Sequence, residues 1–157
     1  MNITKEDIDA FADMQEPPSQ AGLHEMPDDW DKHFHTPLQM VRDFAKRMNQ
    51  PLDQEWYKDL ILENLRFNFI QEEFDELALE SATGTDPENM LKEIADLVYV
   101  LYGYAATYGW DLDKAVRRVH LSNMSKLGLD GKPIKDAKGK VVKGPNYKKP
   151  KLTDLVE

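Results

Sequence analysis

The chain has 157 residues with a net charge of −9, 41% apolar and 31% charged side chains, and no Cys. That length favours one domain with a real core. The missing Cys exclude a disulfide framework, a thiolate metal site and a Cys nucleophile, and no run is long and apolar enough to span a membrane. From Lys126 onward nine Lys face four acids, a net of +5 that leaves −14 on the rest. An acidic body with a basic tail is a poor general binder of nucleic acid, but it suits a site where cations and phosphates meet.

The first residues lack the basic start and apolar run of a signal peptide, so the expected compartment is the cytoplasm (a host's cytoplasm for a phage protein). Thr4 can cap a short helix through Gln15, broken by Glu16-Pro17-Pro18. Residues 1–35 are expected to form an arm with that helix, and residues 36–157 the main domain. A helix is predicted from Thr36 to Asn49, with Pro37 in its first turn and an apolar stripe of Leu38, Val41, Phe44 and Ala45. Pro51 ends it.

A long helix is predicted from Gln54 to Ser81, beginning with Trp56, Leu60, Ile61 and Leu65. On a helical projection Glu73 falls between Phe69 and Leu77, and Glu76 between Leu65 and Phe69. Glu72 lies at the stripe's edge and Asp75 points away. After the turn at Gly84, Asp86 and Pro87 start a helix that runs to Tyr108, where Gly109 closes it. Between Ile94 and Ala106 its sole charge is Asp96, and a helix apolar all round is a central one. Glu93 and Asp96 flank Val100. A further helix starts at Asp111 or Asp113, with Ala115, Val116 and Val119 inward, and ends near Lys126. Beyond it Lys132–Lys135 and Lys140–Lys143 are predicted to pair as a small hairpin before an extended tail. The fold class is all-α, a helical bundle with a small C-terminal hairpin or extended tail.

Acids at i and i+3 share a helix face. Burying them is costly unless they are paired or coordinated. Glu73, Glu76, Glu93 and Asp96 therefore point to hard divalent cations between two helices, although a solvated acidic face stays open on pattern alone. A di-iron carboxylate bundle needs Glu-x-x-His, and none of His24, His33, His35 or His120 follows a Glu by three.

The ordered set Glu73-Phe74-Asp75-Glu76, Glu93-Ile94-Ala95-Asp96 and Asn123-Met124-Ser125-Lys126 resembles the all-α nucleoside triphosphate pyrophosphohydrolases. These are the MazG-like enzymes, the all-α dUTP and dCTP pyrophosphatases and phosphoribosyl-ATP pyrophosphatase. The strings Ile70–Glu73, Ala95–Tyr99, Val119–Lys126 and the tail through Lys143-Gly144-Pro145-Asn146-Tyr147 look like the compact branch of bacteria and phages. The resemblance covers roughly Pro37 to Leu152.

It implies a MazG-like bundle that cleaves a (deoxy)nucleoside triphosphate to monophosphate and pyrophosphate in nucleotide-pool cleaning, with Mg²⁺, or Mn²⁺ in its place. It implies Glu73, Glu76, Glu93 and Asp96 as metal ligands, and Glu72 with Glu73 as the catalytic pair that orients or deprotonates water. Asn123, Lys126, Lys143 and Tyr147 would bind substrate phosphate or sugar. The base would lie near Phe44 and Trp56. It also implies a homodimer or homotetramer with no nucleic-acid or membrane partner. The alternatives are phosphoribosyl-ATP hydrolysis and a non-catalytic helical interaction module.

Overall fold

The computed structural model describes residues 36–156; the expected helix from Thr4 to Gln15 and the arm around it lie outside them. Among the described residues four helices follow in order: α1 Pro37–Arg47, α2 Leu60–Thr83, α3 Pro87–Thr107 and α4 Leu112–Met124, with a 3-10 turn at Thr153–Leu155. The chain is thus all-α, and among the described residues no strand forms. The expected hairpin reduces to two isolated bridges, Leu127 with Pro133 and Lys135 with Val141. Its tip is held by the Asp136 carboxylate, which accepts from the Lys138 and Lys140 amides. Side-chain acceptance at the turn takes the place of a continued ladder.

Each helix starts at a side chain that caps free backbone amides. Thr36 Oγ1 accepts from Gln39 N, with Pro37 following. Asp86 accepts from Glu88 N ahead of α3, and Asp111 from Lys114 N ahead of α4. The start of α2 corrects the sequence expectation. Asp59 Oδ1 accepts from both Ile61 N and Leu62 N at 3.0 Å, so the helix begins at Leu60. Gln54 to Lys58, including Trp56, form turns before it. Asp53 and Tyr57 hold positive φ of 55° and 63° there, which a helix excludes.

The connection into α2 is fixed against the far end of α3. Arg42 makes a two-pronged pair with Asp53 at 2.8 and 2.7 Å. Gln54 N donates to Thr107 O. Gly109 ends this region at φ 71°, and a Cβ there would come within 3.0 Å of Asp53 Oδ1. Glycine thus meets both a left-handed backbone and a close approach.

α2 and α3 are joined by three residues, 84–86, and two contacts show that they run antiparallel. Glu73 meets Glu93, and ten residues earlier on α2 Glu63 accepts from the Tyr104 hydroxyl, eleven residues later on α3. The core is small: Val41 and Ala45 of α1, Leu62 of α2, Ala105 and Ala106 of α3, Tyr108 and Leu155. α3 packs on both α1 and α2, as its apolar sequence predicts. Its other face is uncovered: Leu91, Ile94, Val98 and Leu101 are exposed, spaced 3, 4 and 3 as in a helix-pairing seam. Val116 and Val119, expected inward, are also exposed. Inward packing of α4 instead uses Ser122, and Ala115 is half-buried.

Candidate metal centre

Glu73 and Glu76 sit one turn apart on α2, and Glu93 sits opposite them on α3. One carboxylate oxygen from each lies within 4.8 Å of the others. Glu73 and Glu93 are half-buried and Glu76 is exposed. Burial first, then the charges of Glu76 and Asp96, raise the Glu73 pKa from its ordinary value. The negative charges gathered here thus work against one another. Glu93 Oε2 is buried without a hydrogen-bond partner, which costs free energy unless something binds it.

Asp96 stands on the next turn of α3. It does not join the three-oxygen group. Its Oδ2 pairs at 2.8 Å with Lys92 Nζ, which also reaches Glu93 Oε1 at 3.1 Å. The pKa of Lys92 is raised by hydrogen bonding to Asp96 first and Glu93 second. Lys92 was not singled out from the sequence. Its place at i−4 from Asp96 was the available signal. Three clustered oxygen ligands with an orphaned buried oxygen, and a fourth carboxylate one turn away, fit a divalent oxygen-seeking cation such as Mg²⁺. Glu72, beside Glu73 in sequence, is exposed.

The expected phosphate-binding residues gather elsewhere, at the end of α4 and the tail. Gly144 N donates to Lys126 O. A Cβ on Gly144 would lie 2.6 Å from the Lys126 and Leu127 carbonyl oxygens, so the tail can pass here only as glycine. Ser122 Oγ donates to Lys148 O, and Lys148 N donates to Ser125 Oγ. Arg118 binds Asp154 with two bonds, 2.6 and 2.7 Å, and donates to Lys151 O. Lys143 Nζ lies over the Tyr147 ring at 4.6 Å, a cation–π pair. The structure thus brings Lys126, Lys143 and Tyr147 to one tail-and-helix unit beside exposed Asn123. Among the described residues no hydrogen bond or ion pair joins any of these four to the acids.

Phe44 packs edge-on against Tyr99, with ring centroids 5.8 Å apart. Trp56 belongs to a different group. It meets Tyr57 at a tilt, lies 5.5 Å from Trp110 and donates to Tyr104, whose hydroxyl donates to Glu63. Tyr108, Glu63 and Arg66 close this group with buried polar atoms that lack partners. Burial first, then the nearby Glu63, pushes the Tyr108 pKa up to about 12. Sequence reading missed Glu63 and Arg66, since a charge on a half-polar helix turn carries no sign of burial.

The family model for phosphoribosyl-ATP pyrophosphohydrolase matches residues 41–123, from within α1 nearly to the end of α4. No curated protein matches the chain.

Proposed function

We propose, from the premise that the chain belongs to the phosphoribosyl-ATP pyrophosphohydrolase family, that the cluster on α2 and α3 is where it splits the α–β phosphoanhydride of phosphoribosyl-ATP. The family is part of the MazG-like all-α nucleoside triphosphate pyrophosphohydrolases, and the chain is a pyrophosphohydrolase. The observation that carries the site reading is the trio Glu73, Glu76 and Glu93 within 4.8 Å inside the matched segment.

These three acids and Asp96 would hold the cation. When bound, the cation neutralises phosphate oxygens and favours attack by water. Glu73 and Glu93 would hold it from two helices, and Glu72 would accept the proton that water loses as its oxygen bonds to the α-phosphorus. The α–β bridging oxygen leaves with pyrophosphate. Lys126 and Lys143 neutralise phosphate charge, while Asn123 and Tyr147 hydrogen-bond phosphate or sugar.

The uncovered seam Leu91, Ile94, Val98 and Leu101 supports a homo-oligomer, in which a second copy's tail would bring those residues to the acids. Residues 1–35 would form an N-terminal arm and residues 36–157 the pyrophosphohydrolase domain. A second reading takes an ordinary (deoxy)nucleoside triphosphate. It is favoured by the tail after residue 123, which lies outside the matched segment yet is docked through Ser122, Ser125 and Arg118.

The test is pyrophosphate release with Mg²⁺ from phosphoribosyl-ATP and from nucleoside triphosphates. Asp96→Asn should lower the rate by about a hundredfold or more, because a neutral amide is a weak ligand for a hard cation. Parental activity in that variant, or no pyrophosphate from any substrate with the parent, would defeat the reading.

A further inference from the structure

Between α1, α2 and α3 lies a cavity of about 110 Å³. Phe44, Phe69 and Tyr99 supply aromatic wall, and Arg66 and Gln50 supply its polar part. Arg66 is 8% exposed. Its Nη1 and Nη2 share one acceptor, Gln50 Oε1, at a long 3.4 Å. Its Nε is buried with no partner. Among the described residues no carboxylate comes within ion-pair distance. A guanidinium has five donors and keeps its proton, so most of its capacity is unspent in a place where that is costly.

The cavity's position relative to the acids follows from helix spacing. Arg66 precedes Glu73 by seven residues, and Phe69 precedes Glu76 by seven. On α3, Val100 follows Glu93 by seven and Gly103 follows Asp96 by seven. Seven residues are nearly two turns, about 10 Å, and return within about 20° of the same face. Because α2 and α3 are antiparallel, both shifts run the same way. The cavity therefore lies on the acids' own face, displaced along the hairpin by about the reach of a nucleoside from its α-phosphate to its base.

We infer that Arg66, held by Gln50, is the residue that selects substrate, donating hydrogen bonds to an oxygen acceptor at the end of the nucleotide remote from the triphosphate. This rests on the pyrophosphohydrolase reading above. Aromatic walls suit a flat heterocycle, and the cation-bearing floor suits oxygen on or beyond its edge. Two sources offer that oxygen: a base carbonyl, as in cytosine, uracil or guanine, and the phosphate of the phosphoribosyl group in phosphoribosyl-ATP. Adenine in dATP offers neither. A site built to hydrogen-bond one group rejects the analogue lacking it, because its own buried donors then go unpaired.

The experiment measures kcat/KM by pyrophosphate release for phosphoribosyl-ATP, dCTP, dUTP, dGTP and dATP, with the parent, Arg66→Met, Arg66→Lys and Gln50→Leu. The parent should prefer at least one oxygen-bearing substrate to dATP. Arg66→Met should cut that ratio by about ten- to a hundredfold, the worth of a charge-assisted hydrogen bond. Arg66→Lys and Gln50→Leu should cut it less, in the same direction, and they decide the matter where Arg66→Met does not fold. A preference confined to phosphoribosyl-ATP identifies the phosphate as the source, and one shared by dCTP, dUTP or dGTP identifies the carbonyl. Ratios that stay at the parental value in the folded variants, with all substrates slowed alike, give Arg66 a structural role and overturn the inference. A parent inactive on every substrate overturns the hydrolase reading itself.

Discussion

Replacing Glu93 by Gln should make the metal-free protein more stable and the metal-loaded protein relatively less so. Glu93, Glu73 and Glu76 place oxygens within 4.8 Å of one another. Two unit charges at that distance repel by about 0.9 kcal/mol at water's dielectric and about 3.5 kcal/mol at an effective value of 20. Glu76 is exposed, which holds the repulsion near the water value, so removing one charge from two such pairs should return roughly 2–3 kcal/mol. The new amide can also donate to a neighbouring carboxylate, which uses the position where Glu93 Oε2 is orphaned. The lost contact with Lys92 offsets little, because that ammonium is itself exposed and keeps Asp96, and a pair with a solvated ammonium contributes little.

Thermal unfolding followed by circular dichroism should therefore show Glu93→Gln melting several degrees above the parent in chelator. Mg²⁺ at a hundred times its dissociation constant should stabilise the parent by about 2.7 kcal/mol. It should stabilise the variant much less, so that the two curves converge or cross. Equal Mg²⁺ shifts in both proteins, or a variant that melts below the parent in chelator, would refute the mutual-repulsion and metal-ligand account together.

Two further expectations concern buried groups and assembly. Tyr108→Phe removes a hydroxyl that is buried without a partner, so stability at pH 7 should hold or rise by about 1 kcal/mol. The tyrosine's folded pKa is raised to about 12. Its stabilising share is therefore complete below the unfolded value near 10 and lost as pH climbs through 12. Chemical unfolding at pH 8 and pH 11.5 should show the parent losing more stability than Tyr108→Phe, and equal losses would contradict the burial argument. Val98→Asp places a charge in the uncovered seam of α3. Sedimentation tests the proposed homo-oligomer: a parent that runs as a dimer or tetramer should give way to a smaller particle in the variant, and an unchanged assembly would remove the seam from the interface.

Much of the fold is legible in the sequence because its helix starts are local chemistry. Thr36-Pro37 and Asp86-Pro87 announce α1 and α3, and the structure places both starts there. The spacing of Glu73, Glu76 and Glu93 shows likewise, since i, i+3 periodicity and a short turn between two helices suffice to bring them together. The start of α2 is less legible: Trp56 fits the apolar period, and only the double acceptance by Asp59 moves the boundary to Leu60. Exposure of Val116 and Val119 escapes periodicity for another reason. An apolar stripe says that a face wants cover, not that the same chain supplies it. Arg66 is hidden in the same way, since its burial depends on α1 and Gln50, which are distant in sequence.

The seven-residue offset between acids and cavity has a consequence for how the chain tolerates change in length. Both features lie on the same two uninterrupted helices, so their separation is set by helix rise. A residue gained or lost between Arg66 and Glu73 shifts one feature by about 1.5 Å and turns it by about 100° away from the other. The same change among residues 84–86 lengthens or shortens only the link between the helices and leaves the spacing along each helix intact. The hairpin is thus a ruler whose marks are cut into α2 and α3, with its one length-tolerant joint at the end farthest from the cavity.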